Sequence, residues 1–358
     1  QSKPELPPIE LRIAGGWVRD KLLGYECHDL DIAIDNMMGL EFCENISSYM
    51  KSKGIDVRSV HKIESNPEKS KHLETATTKI FDQEIDFVNL RHEEYAEESR
   101  IPKIVFGTPE QDAYRRDLTI NSLFYNINTS SVEDYTKQGV SDLKEGIIRT
   151  PLPAFETFMD DPLRVLRCIR FASRFHFTVS EDILKAARDD RLKEAFKKKI
   201  SRERVAVELD KMIQGPDPVL SIELIYDFGL YETIFVPPSQ QNCQGNMGDS
   251  RDVVSLAKIL KWLLQLTGKN SIHSELLSRT PKDLRALYLA SVLIPFKDMK
   301  MKKSTPISYV LKDSLKFPAV DAISTEKLIS TINPLMDTTK KNAEVPLDRK
   351  SIGLFIRE

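Results

Sequence analysis

The hydrophobic rhythm of the chain changes part-way along. Over residues 1–152 apolar positions come in short runs. Leu11, Ile13 and Ala14 read as a strand, and Gly15-Gly16 interrupts it before a short helical pattern over 17–23. A second strand is predicted over 29–34, a helix over 40–51 and a short strand over 56–60. Residues 75–81 and 85–90 are β-branched or apolar runs separated by Asp82-Gln83-Glu84, the pattern of a hairpin. Several strands with few helices predict an α/β unit, a small mixed sheet with helices on one face.

From Phe158 onward the period becomes helical. Spans 160–175, 181–199, 201–213, 218–228, 255–266 and 281–293 carry apolar residues at i, i+3 and i+4. Asp182, Ser201 and Thr280 are candidate N-caps, and Pro218 and Pro281 suit a first helical turn. The stretch 237–250, rich in Pro, Gln, Asn and Gly, predicts a loop. The expected division is therefore an α/β domain over 1–152 followed by a helical remainder.

Composition narrows the classes only a little. With 358 residues the chain has room for two or three cores, and 41% hydrophobic and 30% charged residues are ordinary for a globular protein. A formal charge of −2 neither predicts nor excludes a nucleic-acid partner, since a balanced chain can carry a basic face. Cys27, Cys43, Cys168 and Cys243 lie too far apart for paired zinc spacing and read as reduced thiols of an intracellular protein. No run of about 18 apolar residues occurs, so no transmembrane helix is expected.

The richest stretch for chemistry is His28-Asp29-Leu30-Asp31-Ile32-Ala33-Ile34, just after Gly15-Gly16-Trp17-Val18-Arg19-Asp20. An i, i+2 pair on a strand sends both carboxylates to one side. Mg²⁺ takes a few carboxylate oxygens plus substrate phosphates, so Asp29 and Asp31 suit it. The Gly-Gly turn lets backbone approach phosphates closely, with helix N–H groups behind it. The plainer alternative is a strand end with two solvated acids. Asp86, alone in the apolar run Ile85-Asp86-Phe87-Val88, becomes a third site acid if its strand lies beside the first, and an edge charge otherwise.

Two further segments carry paired charges. In Arg115-Arg116-Asp117-Leu118-Thr119-Ile120-Asn121, Arg116 is placed to hold phosphate or base, with Asp117 and Asn121 on ribose hydroxyls. A helix capped by Asp117 with surface arginines explains the same letters. In Asp160-Asp161-Pro162-Leu163-Arg164, Pro162 fits a first helical turn and Asp161 and Arg164 project from one face. A solvated ion pair is one reading. The other follows from base chemistry. An acceptor-only carboxylate beside a donor-only guanidinium matches the Watson–Crick edges of cytosine and adenine, while uracil and guanine would leave groups unpaired.

These pieces, in this order, resemble the class II tRNA nucleotidyltransferases, the CCA-adding enzymes, in their eukaryotic, fungal-type branch. The resemblance covers most of residues 11–215. Its carriers are the Gly15-Gly16…Asp20 and Asp29-Leu30-Asp31 metal motif and the Arg115-Arg116-Asp117 ribose motif. A hinge motif follows at Glu133-Asp134-Tyr135 through Arg149, then Asp160-Asp161-Pro162-Leu163-Arg164 and Ser201-Arg202-Glu203-Arg204-Val205. Asp160 stands where the family usually has Glu.

The resemblance implies a nucleotidyltransferase-fold head at 1–152, a neck at 153–215 bearing the base-selecting motif, and a helical body and tail at 216–358. It implies template-independent addition of C, C and A to the tRNA 3′ end from CTP and ATP. Mg²⁺ would sit at Asp29 and Asp31, with Asp86 assisting. Gly15, Gly16, Arg19 and Arg116 would contact phosphates, and Asp161 and Arg164 would read the base. The polar stretch 92–112, including Arg100 and Pro102, corresponds to a mobile loop tied to the switch toward A addition; otherwise it is a surface loop.

tRNA is the implied partner, with no DNA or membrane partner and a monomeric chain in the cytoplasm, nucleus or mitochondrion. Candidate tRNA contacts are Lys193, Lys197, Lys198, Lys199, Arg202 and Arg204, and the cluster Lys300, Lys302 and Lys303, for each of which a solvated face is the commoner explanation. A CC-adding or A-adding relative, a poly(A) polymerase of the same superfamily, and a non-enzymatic RNA-binding protein remain as alternatives.

Overall fold

A computed structural model describes residues 9–55, 61–63, 75–81, 83–94, 102–239, 241, 243–265 and 281–332. The chain divides into two compact units, Gln1–Ile200 and Ser201–Glu358, so the division falls inside the span expected to be the neck.

The first unit opens with β1 (Leu11–Ala14), α1 (Gly16–Leu22), β2 (Leu30–Ile34) and α2 (Gly39–Ser52). β3 (His61–Ile63), β4 (Thr75–Ile80) and β5 (Gln83–Asn89) follow, then β6 (Arg91–Glu94), β7 (Lys103–Phe106) and α3 (Pro109–Tyr114). β8 (Phe124–Asn126) and β9 (Ser131–Glu133) complete a seven-stranded mixed sheet of order β3-β4-β5-β2-β1-β8-β9. The expected hairpin is present as antiparallel β4 and β5, closed at Ile80 and Gln83. β2 begins at Leu30, so Asp29 stands just before the strand. The strand expected over 56–60 lies outside the described residues.

Sheet and helices meet through small residues. At the start of α2 a Cβ on Gly39 would stand 2.6 Å from the Phe87 carbonyl oxygen, so glycine lets the helix rest directly on β5. Phe42 then packs on Phe87, with ring centroids 5.2 Å apart. On the other side Ala14, Ala33, Leu90, Ala113 and Phe124 form one buried cluster, which seats α3 beside the sheet centre.

Two expectations for this unit need correcting. Residues 92–112 are not a plain loop. β6 and β7 pair antiparallel from Arg91↔Phe106 to Glu94↔Lys103, and Thr108 caps α3 in a reciprocal box with Gln111. Arg100 lies outside the described residues. Nor is 117–125 a capped helix. Leu118 N–H and the Asn121 amide donate to the Asp117 carboxylate, a tight 3₁₀ turn covers Thr119–Asn121, and β8 pairs with β1. Long-range strand pairing overrides the local helical pattern.

The remainder of the unit is mostly helical: α4 (Gly139–Glu145), β10 (Ile147–Ile148), α5 (Ala154–Asp160), α6 (Arg164–Phe175), β11 (Thr178–Val179), α7 (Glu181–Arg188) and α8 (Asp190–Lys199). The span 160–175 is therefore two helices. Asp161 is extended (φ −134°, ψ 97°) and Pro162 lies in the linking turn, because a proline disfavours helical backbone in the residue before it. The span 181–199 likewise breaks at Asp189, whose side chain accepts from Arg191 N–H and caps α8. Ser180, not Asp182, occupies the N-cap of α7, its hydroxyl donating to Asp182.

The second unit contains α9 (Arg202–Ile213), α10 (Pro218–Asp227), α11 (Tyr231–Ile234), β12 (Cys243–Gln244), α12 (Arg251–Gln265), α13 (Pro281–Leu293), β13 (Lys300–Met301) and α14 (Ala319–Ser330). Ser201 holds the N-cap of α9 without a side-chain bond, and Asp217 caps α10 ahead of Pro218. Thr280 lies outside the described residues. Within the expected loop at 237–250, β12 forms a short ribbon with β13. Leu209, Ile222, Ile225, Ala257, Leu289 and Ile329 are buried in this unit. No helix among the described residues is long and apolar enough to cross a membrane, and all four cysteines are free.

Candidate active site

β2 and β5 run parallel, in a register that places Asp31 directly beside Asp86. Adjacent partners in a sheet point to the same face, so the two carboxylates are neighbours. Thr77, opposite Asp86 on β4, donates its hydroxyl to Asp86 Oδ1 at 2.5 Å and fixes that side chain. Asp86 is thus in the sheet interior, as the site reading required, and not at an edge.

Asp31 is open to solvent on one side yet crowded by protein on the others. Crowding, then the charges of Asp86 and Asp29, push its carboxyl up from 3.8 to about 6, against the pull of Arg116 and Arg91. Asp29 and Asp31 have no side-chain hydrogen bond or ion pair among the described residues, and only the more distant charges of Arg116 and Arg91 act on Asp31.

No group of three or more His, Cys, Asp or Glu side chains arranged to enclose an ion occurs among the described residues. Mg²⁺ takes one or two carboxylates together with waters and substrate phosphates. The acids beside open solvent have the donor chemistry such an ion uses.

The Gly-Gly turn meets Arg116. Gly15 has φ +63° and ψ −111°, and its N–H donates to Leu123 O at 2.9 Å. A Cβ there would stand 2.6 Å from Arg116 Nη1, so conformation and space both demand glycine. Arg116 donates through Nε and Nη2 to Asp112 Oδ1 at 3.0 and 2.7 Å, and through Nη1 to Asn121 O at 3.2 Å. It also lies over the Phe124 ring at 5.0 Å. Asp112 takes Arg115 as well, at 2.6 Å, and the two guanidiniums hold this buried carboxyl down at about 2. Sequence reasoning missed Asp112, although its i+3 and i+4 spacing to the arginines on a helix was a usable signal.

Asp117 and Asn121 are placed differently from the expectation of ribose contacts. Asp117 is buried, and its carboxylate accepts from Leu118 N–H, the Asn121 amide (3.0 Å) and Arg167 Nε (2.6 Å). Burial works against its charge, but Arg167 and Asn121 overcome that and hold its carboxyl well below the usual range. Arg19 does not fit a phosphate contact. Only 4% exposed, it donates to Asp20 and Asn121 and lies over Phe171 and Phe175 at 4.8 and 5.1 Å. Gly16 sits beside it, the position of a Cβ there being 3.6 Å from Arg19 Nη2.

The arginine stripe of α6 is the second half of the site. Arg164 Nη2 donates to the Arg115 carbonyl at 2.7 Å and lies 3.8 Å from Glu93. Arg167 holds Asp117, and Arg174 bonds Asp20 at 3.2 Å. α6 is thus tied at three points to segments carrying the site. Asp161 precedes it, with Oδ1 accepting from Leu163 N–H at 3.2 Å and its carbonyl from Arg164 N–H at 3.0 Å. Glu93, on β6, bonds Arg115 at 3.0 Å; nothing local in the sequence pointed to it.

The basic residues proposed to meet RNA divide. Lys193 pairs with Asp190, Lys197 with Glu194, and Lys199 donates to the Met159 carbonyl. Lys198, Lys302 and Lys303 are exposed. Arg202 is turned inward, donating to the carbonyls of Thr233, Ile234 and Ser314, so it supports the second unit rather than offering charge outward.

A mixed sheet with register-paired acids, a Gly-Gly turn against the half-buried Arg116 and a basic helix tied to the segments around them defines a nucleotidyltransferase head. The family described as "Poly A polymerase head domain" matches residues 11–149, and "Probable RNA and SrmB- binding site of polymerase A" matches residues 176–243. A protein of Candida glabrata named "CCA tRNA nucleotidyltransferase, mitochondrial" is 45% identical over 382 residues, covering 98% of this chain and 72% of that protein. The protein of the same name from Saccharomyces cerevisiae is 44% identical, covering 99% and 70%. Among solved structures, "The structure of CCA-adding enzyme apo form II" superposes with a TM-score of 0.68 at 22% identity, over 98% of this chain and 72% of that one. The chain belongs to the CCA tRNA nucleotidyltransferase family.

Proposed function

We propose that this chain adds C, C and A to the 3′ end of tRNA from CTP and ATP, without a nucleic-acid template. The observation that carries the reading is the parallel register of Asp31 with Asp86, next to a basic loop whose Arg115 carbonyl anchors Arg164. The tRNA 3′-hydroxyl attacks the α-phosphorus in line. A new P–O bond forms, the bond to the bridging oxygen of the β-phosphate breaks, and pyrophosphate leaves with that electron pair. The hydroxyl proton passes to solvent. Asp29 and Asp31 would hold Mg²⁺, with Asp86 beside them; bound there, it supplies Lewis acidity and neutralises phosphate charge.

Asp161 and Arg164 act as the pairing partner. A fixed acceptor next to a fixed donor serves C and A and leaves U and G with unpaired groups. Asp117, Asn121 and Arg19 position the arginines and α6. tRNA is gripped by shape and backbone, because every tRNA is a substrate; Lys198, Lys302 and Lys303 are the exposed candidates. An intracellular setting, the mitochondrion included, accords with the names of the fungal relatives.

The test is incubation of the protein with tRNA ending at its discriminator base and each NTP singly and together, followed by sequencing of the 3′ ends. CCA is expected with CTP plus ATP. CC alone, a single A, a long A tail or no addition would each point to one of the alternatives instead.

A further inference from the structure

Arg91 lies among the site arginines, near Asp31 and beside Arg115 and Arg116. It is the first residue of β6, two residues past the end of β5, and Leu90 N–H is bonded to Ile34 O at 3.2 Å. Arg91 therefore stands at the carboxyl end of the strand pair that carries Asp31 and Asp86. Its guanidinium is close enough to Asp31 to act on that carboxyl.

The arginine is held at its base but not at its tip. Its N–H donates to Asp112 Oδ2 at 3.2 Å, the carboxylate that also takes Arg115 and Arg116. Nε lies 3.0 Å from Glu93 Oε1, yet at an angle that misses a hydrogen bond, and it is left without one. The terminal nitrogens meet no acceptor among the described residues, and the side chain is one-quarter exposed. Charge around it is out of balance. Three arginines, Arg91, Arg115 and Arg116, pair with two carboxylates, Asp112 and Glu93. Burial and Arg115 push the Arg91 guanidinium down to about 10, a cost that a bound anion relieves.

We propose that Arg91 binds the β- and γ-phosphates of the incoming nucleotide, and so the pyrophosphate that leaves. A guanidinium presents a planar fork that matches phosphate oxygens in pairs. With no acceptor for the tip among the described residues, that fork gives up none of their bonds when it meets them. The inference rests on the nucleotidyl-transfer reading, and phosphate of the tRNA backbone has the same chemistry, so the test separates these.

Wild type, Arg91→Met and Arg91→Lys are compared for binding of CTP, CMP and tRNA measured separately, with 3′-end addition by the wild type as control. Arg91→Met should bind CTP about tenfold to a hundredfold more weakly, with CMP and tRNA unchanged and inhibition by inorganic pyrophosphate weakened in parallel. Arg91→Lys should recover part of the loss, keeping charge without the fork. Unchanged CTP affinity overturns the proposal; so does equal weakening of CTP, CMP and tRNA, or weakening of tRNA alone. If Arg91→Met does not fold, Arg91→Lys decides. A lowered CTP-to-CMP affinity ratio supports the proposal, and the wild-type ratio overturns it. Failure of the wild type to add nucleotides would strike the functional reading instead.

Discussion

Asp31 and Asp117 belong to the same unit, and the fold treats them in opposite ways. Around Asp31 the strand pair β2/β5 gathers further acids, Asp86 and Asp29, supplies no bonded cation, and raises the carboxyl to about 6. Around Asp117 the turn before β8 gathers an amide, a backbone N–H and Arg167, and drives the carboxyl down. Like charges left together waste stability unless a ligand brings the missing positive charge. An acid already satisfied by arginine has nothing left to recruit. The first region is built to be completed, and the second is built to hold it in place.

Substitutions break this contrast most forcefully. Asp31→Ala and Asp29→Ala should each lower nucleotide addition by at least about 100-fold, since loss of merely supporting groups around a metal costs 10–100-fold. The thermal midpoint should hold or rise. Addition at a near-normal rate by either protein would remove the metal assignment. Asp117→Asn should do the reverse, costing about 2–4 kcal/mol of stability by stranding Arg167 and Asn121, as read from denaturant unfolding.

Protonation sharpens the contrast. Asp31 binds its proton more tightly folded than unfolded, so it withdraws stability as pH rises from about 4 to about 6. Asp31→Asn should match the wild-type midpoint near pH 4 and exceed it increasingly up to pH 6. Asp117 contributes stability above its unfolded value, lost as pH falls below about 4; the deficit of Asp117→Asn should therefore shrink in acid. Parallel pH curves for the two variants would contradict the account. The smallest effect is one of selection. Asp161→Ala should relax preference for CTP and ATP over UTP and GTP with little change in stability, checked by single-nucleotide addition.

The two regions also differed in how far the sequence revealed them. Asp29, Asp31 and the Gly15-Gly16 turn were legible because strand period and turn chemistry are local, and Asp86 because a lone acid in an apolar strand is conspicuous. The surroundings of Asp117 were not. Arg167 lies fifty positions away, and β8 is a strand only because β1 is there to pair with it. Arg19 and Arg202 read as phosphate or RNA contacts because an arginine's letter does not say which way it points; packing turned both inward. Helix boundaries at Asp161 and Asp189 were missed where one apolar rhythm runs across two helices.

The central claim is tested most directly by titrating Mn²⁺, as a paramagnetic stand-in for Mg²⁺, into the protein with CTP at pH 7.5 and counting bound ions by electron paramagnetic resonance. The wild type and Asp117→Asn should bind the same number, and Asp31→Asn should lose at least one. Full occupancy in Asp31→Asn would contradict the account.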